Sequence, residues 1–269
     1  MRIVCTEQRT QEWFAAKLGK PSASQVWRAL STLKIKSKNG EKGEPSGDQI
    51  AYKKELAQEI LGGVPVDHWV SKEMDEGSAL EPLARAEYIS RNNLQEWNET
   101  GFILHPTMDR FGCSPDLLTT TSSRGGRNGA EFKCPKANTH LGYVDAFIDA
   151  QQNGLCDNSF AYAVIPEPYI YQCQACICIC NSDKWDWVSF YPPEPEDSNL
   201  LPDRPGAKRA NLPESMRYLE IPVYRDDVMI AKIEDGIKAF NARLLEYVER
   251  MRLFHGRKTL APYPMKVKE

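Results

Sequence analysis

The segment Phe111–Pro135 constrains the fold more than any other part of the chain. Its sequence, FGCSPDLLTTTSSRGGRNGAEFKCP, contains a short apolar run after an aspartate, a polar glycine-rich turn and an apolar-flanked Glu-Phe-Lys. This pattern predicts the two strands of one β-hairpin. Side chains alternate between the two faces of a strand, so Glu131 and Lys133 share one face while Phe132 enters the core. The turn then places Asp116 across from Glu131.

Two carboxylates and a lysine at this spacing indicate a divalent-cation site. Asp116 and Glu131 would repel each other in a buried position unless a positive charge lay between them. Mg²⁺ takes one or two carboxylates, keeps several waters and accepts substrate phosphate oxygens. Lys133 adds a point charge beside the attacking water or the scissile phosphate. The segment therefore predicts a metal-dependent nuclease, and the alternative is a surface turn with an ordinary Glu131–Lys133 ion pair.

Composition limits the setting in which such a site would work. The 269 residues are 41% hydrophobic, which supports one large domain with a substantial core. No long apolar run or signal-like N-terminus is present, so a soluble cytosolic protein is expected. The net charge of −3 argues against a surface covered by basic residues. Contact with nucleic acid would therefore use a local channel or patch.

The eight cysteines are expected to be reduced thiols, because no export signal accompanies them. Four of them crowd together at Cys173, Cys176, Cys178 and Cys180, which leaves an iron–sulfur cluster open as an alternative. On a helix, Cys173, Cys176 and Cys180 would lie on one face and pack as small apolar groups, which is the favoured interpretation. The same segment also fits the alternation of a strand.

The hairpin carries a family resemblance. Pro115-Asp116 followed by Glu131-Phe132-Lys133 resembles the PD-(D/E)xK nuclease signature. The longer strings CSPD, which ends at Asp116, and EFKCP, which begins at Glu131, resemble lambda exonuclease and the YqaJ viral recombinase family. This resemblance implies an α/β fold with a restriction-endonuclease-like core, in which helices flank a central mixed β-sheet and the site lies at one sheet edge.

The N-terminal segment also matches this family. Its pattern of Glu12-Trp13, Lys-Leu-Gly at residues 17–19 and Ser-Ala-Ser at residues 22–24 resembles the family's opening motif. The resemblance implies that Lys17, Ser22 and Ser24 hold the terminal 5′ phosphate of DNA. A helix N-terminus with a neighbouring cation is an anion site on physical grounds as well. The alternative is a serine N-cap beside a solvated lysine. The family has an arginine at the Lys17 position, and lysine offers only a point charge.

Residues 75–91 predict a helix that contributes a third carboxylate. Pro82 is tolerable in a first helical turn, and Glu81, Ala84 and Tyr88 would then share one face. A carboxylate on a core-facing stripe needs a partner. The resemblance, carried here by the Gly-x-x-x-Glu string that ends at Glu81, implies a metal-binding role. The alternative is a solvent-facing Glu81 that favours the positive helix start.

The remaining patterns predict one domain over residues 1–269, with a loop insertion at 192–217. Residues 101–104 are expected to form a strand that neighbours the hairpin, and residues 151–168 are expected to be irregular. Strands are predicted at 184–191 and 218–224, and an amphipathic helix at 226–253. The string Tyr169-x-x-Gln172-x-Gln174 resembles a family motif on a helix beside the active site, so residues 169–180 are predicted as a helix.

The resemblance also implies how the site operates. Two Mg²⁺ ions, for which Mn²⁺ would substitute, are expected to activate water and stabilise the leaving oxygen. Lys133 and Gln172 are expected to orient the nucleophile. The expected metal ligands are Glu81, Asp116, Glu131 and the backbone carbonyl of Phe132.

The implied activity is the digestion of one strand of duplex DNA from its 5′ end, which leaves a 3′ overhang for phage-type recombination by single-strand annealing. The implied partners are DNA ends, a homotrimeric ring through which the DNA threads, and a single-strand annealing protein. The implied location is the cytoplasm of a bacterium that hosts a phage or prophage. Two alternatives remain open, which are a PD-(D/E)xK endonuclease and a non-catalytic DNA-binding assembly subunit.

Overall fold

The computed structural model describes residues 1–36, 40–66, 72–193 and 210–255, with only the backbone described at residues 72–75 and 255. Within these ranges the chain forms eight α-helices and seven β-strands. The helices are α1 (Gln11–Lys17), α2 (Val26–Leu30), α3 (Gly47–Gly62), α4 (Lys72–Arg91), α5 (Ala137–Gln152), α6 (Asp157–Val164), α7 (Glu167–Cys180) and α8 (Asp227–His255). The strands are β1 (Arg2–Cys5), β2 (Phe102–Leu104), β3 (Gly112–Cys113), β4 (Leu117–Thr121), β5 (Arg127–Lys133), β6 (Lys184–Phe190) and β7 (Tyr218–Tyr224).

The central sheet has the strand order β4-β5-β6-β7. The predicted hairpin forms its β4–β5 edge, and β6 pairs with β7 in the same antiparallel manner. β5 and β6 are parallel, so the chain must cross over between them. Helices α5, α6 and α7 make that crossing. The predicted α/β fold, a central mixed sheet flanked by helices, is confirmed.

Strand alternation divides the core between the two faces of this sheet. Trp185 and Trp187 are fully buried on the face that α7 and α8 cover. Phe132 and Val188 point to the opposite face, where they pack with Tyr88 of α4. The stripe predicted on the C-terminal helix is confirmed, because five apolar side chains of α8 are no more than 1% exposed: Ile233, Ile237, Phe240, Leu244 and Val248.

The strand predicted at residues 101–104 does not neighbour the hairpin in the same sheet. It forms β2, which belongs to a second sheet of order β1-β2-β3. Pro115 lies between β3 and β4, and it interrupts strand pairing because it has no N–H to donate. The segment before it therefore joins one sheet as β3, and the segment after it joins the other as β4. A single bridge between Asn98 and Leu118 connects the residues before β2 to the central sheet.

Two helix predictions also need correction. α4 begins at Lys72, so Pro82 lies inside the helix and not in its first turn. Glu81 is therefore far from the helix N-terminus, which removes the alternative role proposed for it there. Part of the stretch expected to be irregular forms α6, which starts with a capping box between Cys156 and Ser159. The predicted insertion at 192–217 lies mostly outside the described residues.

The cysteine-rich segment forms helix α7, as predicted. Cys173, Cys176 and Cys180 are each no more than 1% exposed and pack in the large core cluster. All eight cysteines are free thiols. In the described part of the chain, no helix is long and apolar enough to cross a membrane.

Close packing between β5 and β6 makes Gly129 a sensitive position. A Cβ atom there would lie 2.4 Å from the ring of Trp185 and 2.6 Å from the backbone oxygen of Leu117. The ring could adjust, but the paired backbone cannot move without disturbing the sheet. Gly129→Ala is therefore expected to lower the free energy of unfolding by about 3 kcal/mol in chemical denaturation.

The matched control for this experiment is Gly142→Ala. Gly142 is exposed within α5, and a Cβ atom there would meet nothing within 4 Å. Alanine is the better helix former, so the control is expected to raise the free energy of unfolding by about 0.5 to 1 kcal/mol. Equal effects of the two substitutions would contradict the close approach of β5 to its neighbours.

Candidate active site

The hairpin brings two carboxylates and a lysine into one group. Leu117 pairs with Ala130, so the residue before β4 lies beside Glu131. Asp116 accepts a hydrogen bond at its Oδ2 from the backbone N–H of Phe132, with an N–O distance of 2.7 Å. The Nζ of Lys133 donates to Oε1 of Glu131 at 2.5 Å.

The electrostatics of this group show that its negative charges lack compensation. Burial raises the pKa of Asp116 well above its ordinary value, and the charge of Glu131 raises it further. Burial lowers the pKa of Lys133, but the charges of Glu131 and Asp116 outweigh that effect and raise it overall. Lys133 is therefore a permanent cation at neutral pH. Oε2 of Glu131 is buried and has no hydrogen-bond partner among the described residues.

Helix α4 supplies Glu81 to the same group. Tyr88 of this helix packs edge-to-face on Phe132, with ring centroids 5.6 Å apart, which fixes α4 against β5. Burial raises the pKa of Glu81, while the charges of Lys133 and Arg9 lower it. Oε2 of Glu81 lies 3.4 Å from Nη2 of Arg9.

This donor set fits a hard divalent cation. Three carboxylates, from Glu81, Asp116 and Glu131, share a partly buried space with one lysine, and one of their oxygens lacks a partner. Magnesium prefers such oxygen ligands, and a cation would relieve the repulsion that raises the pKa of Asp116. The assignment of these three residues and the carbonyl of Phe132 as metal ligands stays a prediction.

Helix α7 packs over the lysine end of this group. Nζ of Lys133 lies 5.1 Å from the ring centroid of Tyr169. Gln172 follows Tyr169 by three positions, so it lies on the same helical face, and it is 6% exposed. Gln174 has a different position, because its side chain bonds the backbone of Tyr224 and Asp226. Tyr169 was part of the motif used to predict this helix, but it was not predicted as a site residue. Its spacing of three from Gln172, which was predicted to lie at the site, was the available signal.

The N-terminal motif connects directly to the hairpin. Nε1 of Trp13 donates to Oγ of Ser114 at 2.8 Å, two residues before Asp116. Nζ of Lys17 lies 3.8 Å from the ring centroid of Trp13. Burial lowers the pKa of Lys17 to about 8, although the charge of Glu59 opposes this. Ser114 was not predicted as a site residue, and its position within the CSPD string was the available signal.

The two serines of the motif lie on the other side of a tight turn. Their hydroxyl oxygens, in Ser22 and Ser24, are 3.2 Å apart. Ser22 also forms a bridge with Gly112 of β3, the residue just before the CSPD string, so the two motifs are close in space. The helix predicted to start at Ser22 is instead a 3₁₀ turn (Ala23–Gln25) before α2. Ser22 occupies the N-cap position of this turn, but its side chain makes no cap hydrogen bond.

Residues just before α1 join the site without any periodic signal in the sequence. Nε2 of Gln8 donates to the backbone oxygens of Pro115 at 2.8 Å and Thr100 at 3.1 Å. Arg9, the next residue, reaches Glu81. These contacts join segments about 70 to 110 residues apart, so local sequence patterns do not reveal them.

A second group of titratable side chains is buried or partly buried: His105, which follows β2, Cys178 of α7 and Glu234 of α8. Nε2 of His105 is 3.0 Å from Oε1 of Glu234 and 3.4 Å from Sγ of Cys178. The backbone N–H of Thr107 donates to Nδ1 of His105, so the ring proton of the neutral imidazole sits on Nε2. Burial lowers the pKa of His105, which favours this neutral form. The group is therefore a hydrogen-bond network, because Nε2 cannot donate a proton and bind a metal at once.

The structure is similar to those of known exonucleases. The alkaline exonuclease LHK-Exo from Laribacter hongkongensis is 29% identical, with a TM-score of 0.66, and the match covers 93% of this chain and 100% of that one. The same enzyme in complex with dAMP gives 28% identity and a TM-score of 0.67 over the same shares. A phage-related exonuclease from Haemophilus somnus 129PT shares the fold at 18% identity and a TM-score of 0.61, over 86% of this chain and 96% of that one. The fold and its relatives define a nuclease.

The sequence match gives the family. Residues 12–183 match the model of the YqaJ-like viral recombinase domain, which is more than half of the chain. The chain therefore belongs to the YqaJ-like viral recombinase family, as its CSPD and EFKCP strings indicated. No curated protein sequence matches the chain.

The raised pKa of Asp116 leads to a stability prediction. Its folded-state pKa lies above the ordinary value, so protonation stabilises the fold and the stabilisation is lost as the pH rises. Asn cannot ionise and retains an oxygen for the N–H of Phe132. Without metal, Asp116→Asn is expected to raise the free energy of unfolding by about 1 kcal/mol at pH 8 and by less at pH 5. Thermal denaturation at both pH values measures this difference.

Asp235→Asn is the matched control, because Asp235 is 79% exposed on α8 and far from the hairpin in sequence. It should leave the melting temperature unchanged at both pH values. Added Mg²⁺ should raise the melting temperature of the wild type more than that of Asp116→Asn, since a bound ligand stabilises only the state that holds it. If metal-free Asp116→Asn melted at a lower temperature than the metal-free wild type, the result would contradict the repulsion between the carboxylates.

Proposed function

We propose that the protein is a Mg²⁺-dependent exonuclease that digests one strand of linear double-stranded DNA in the 5′-to-3′ direction. The observation that carries this proposal is the convergence of Glu81, Asp116, Glu131 and Lys133 beside the buried, unpartnered oxygen of Glu131. Similarity to LHK-Exo, which was solved with dAMP, supports DNA as the substrate.

The residues have separable roles in this mechanism. Glu81, Asp116, Glu131 and the carbonyl of Phe132 would hold the cations. When bound, Mg²⁺ supplies an activated water and neutralises charge on the leaving oxygen. Lys133 stays protonated, so it donates hydrogen bonds and positive charge to the nucleophile or the scissile phosphate and does not act as a base. Gln172 orients the nucleophile from α7.

The N-terminal motif supplies the direction of digestion. Lys17, Ser22 and Ser24 hold the terminal 5′ phosphate. The Trp13–Ser114 hydrogen bond connects the helix of Lys17 to the CSPD string, and the Ser22–Gly112 bridge connects the serines to it. Anchoring one end at a set distance from the site would release nucleotides stepwise from that end. The products are nucleotides and a 3′ single-stranded overhang.

The biological setting that we propose is supported by the family match. A homotrimeric ring around the DNA, with a single-strand annealing protein that takes over the 3′ overhang, would serve phage-type recombination. The proposed location is the cytoplasm of a bacterium that hosts the phage or prophage.

The central experiment compares linear duplex DNA carrying a 5′ phosphate or a 5′ hydroxyl with a closed circular duplex. We expect loss of the linear DNA only, with Mg²⁺ or Mn²⁺ but not with EDTA. Digestion should be fastest with the 5′ phosphate. Lys133→Ala should slow it by roughly 100-fold or more, because a charge aimed at the reacting group is lost. Gel analysis of strand-specific end labels gives the direction.

Lys238→Ala is the matched control, since Lys238 is 59% exposed on α8 and pairs with the neighbouring Asp235. It should digest DNA at the wild-type rate. Cutting of the closed circle would replace the proposal with an endonuclease. No cutting of any DNA with either metal would indicate the non-catalytic DNA-binding subunit.

The lowered pKa of Lys17 predicts that end selectivity depends on pH. Lys17 holds its charge below pH 8 and loses it above, because its pKa is about 8. The ratio of digestion rates on 5′-phosphate and 5′-hydroxyl DNA should therefore fall between pH 7 and 9.5, by up to about tenfold per unit above pH 8. Lys17→Arg, whose guanidinium stays charged, should keep the ratio constant over this range. A constant ratio in the wild type would exclude Lys17 as the phosphate anchor.

A further inference from the structure

A cavity of about 280 Å³ lies between the segment before α1 and helix α4. Glu81 and Asp116 line it, so it shares a wall with the proposed metal site. Arg9, Arg85 and Thr100 line it as well, together with Glu7 and Glu99, and Nη1 of Arg85 donates to Oε1 of Glu99 at 2.6 Å. We call this space the side cavity. The metal-binding roles proposed above use its Glu81 and Asp116, but no role has been given to Arg9, Arg85 or Thr100.

The wall of the side cavity contains donors that lack acceptors. Nε of Arg85 and Oγ1 of Thr100 are buried and have no hydrogen-bond partner in the described parts of the chain. Thr100 is 3% exposed. The Nε–H can only donate and the hydroxyl also has a hydrogen to donate, while a buried polar group without a partner is unfavourable. An anionic oxygen is the complementary group.

Arg9 provides a third donor in an unusual conformation. Its backbone φ of 64° is in the left-handed region, which residues other than glycine rarely adopt. Such strain is typical of functional positions. Its ion pair with Glu81 is long, at 3.4 Å, and the arginine side chain is 63% exposed. Exposed ion pairs of this kind contribute little, so Arg9 can exchange its partner easily.

The two partners of Glu81 exclude each other. A divalent cation held by Glu81 would repel the guanidinium of Arg9, which is then available for another anion. The side cavity is the adjoining space, and a phosphate oxygen pair matches the two-pronged geometry of arginine. When a divalent cation occupies Glu81, the side cavity could therefore accept a second phosphate beside Arg9.

We propose that the side cavity binds the non-bridging oxygens of a DNA phosphodiester next to the one that is cut, through Arg9, Arg85 and Thr100. The inference rests on the proposed function, because it takes DNA as the substrate. These donors contact the backbone and not a base, so the contact positions any sequence equally well.

The first test measures binding of linear duplex DNA with Ca²⁺ in place of Mg²⁺ over a range of salt concentrations. Arg9→Ala should weaken binding roughly tenfold and reduce the slope of log K against log salt by about 1. Arg9→Gly should give the same losses while keeping the fold, because glycine adopts a φ of 64° without strain. Thr100→Val should weaken binding without changing the slope, since it removes a neutral donor.

Arg91→Ala is the matched control for lost charge. Arg91 is at the other end of α4 from the side cavity and pairs with Glu87 on the surface. Its substitution should leave both the affinity and the slope unchanged. An Arg9→Ala slope equal to that of the wild type would overturn the inference.

The second test finds the phosphate itself. A single neutral methylphosphonate is placed in turn at each phosphate near the 5′ end, and binding is measured with wild type and Arg9→Ala. At one position next to the cut, the methylphosphonate should lower the affinity of the wild type about tenfold. It should not lower the affinity of Arg9→Ala further, because that substitution has already removed the same contact. Additive losses at every position would exclude the contact.

The outcomes separate this inference from the proposed function. If Arg9 only balances the charge of Glu81, Arg9→Ala will need less Mg²⁺ for half-maximal activity and keep the wild-type salt slope. That result overturns the inference and leaves the exonuclease intact. A wild type that neither binds nor digests linear DNA overturns both.

Discussion

The repulsion between Asp116 and Glu131 is the constraint on which the rest of the site depends. The hairpin register forces these carboxylates together, and burial removes the water that would screen them. Lys133 compensates for only part of their charge. The protein tolerates this cost because the sheet, α4 and α7 hold the hairpin in place. The same uncompensated charge would attract the proposed divalent cation, so the charge that lowers the stability of the fold would raise the affinity for the metal.

The segment before and within α1 supports the site from outside the sheet. Gln8 binds the backbone of Pro115, Arg9 reaches Glu81, and Trp13 bonds to Ser114. Each contact fixes a residue next to, or within, the set of proposed metal ligands. The N-terminal segment therefore connects the residues proposed to hold a DNA end with the proposed metal ligands. The proposed stepwise exonuclease requires such a connection, whereas an endonuclease does not.

The sequence predicted those parts of the fold that have a local physical signature. Alternation around Phe132 identified the hairpin, the three-to-four spacing of α8 identified its buried stripe, and the CSPD and EFKCP strings identified the family. The sequence could not predict which sheet residues 101–104 join, because an apolar strand does not specify the strand with which it pairs. The position of Pro82 was misjudged, since tertiary packing of α4 outweighs the local cost of proline. The contact between Arg9 and Glu81 crosses 72 residues and has no periodic signal.

The parallel pairing of β5 with β6 has a consequence for how the protein folds. About fifty residues separate the two strands, and α7, which covers Lys133, lies within that connection. β6 therefore cannot pair with β5 until the chain has passed through α7, the helix that covers Lys133. A nascent chain that has formed only the hairpin holds the carboxylates but lacks the cover over them. Under the proposed function, hydrolytic competence would therefore arise only together with the native core, and an unfinished chain would not cut the DNA of the cell that makes it.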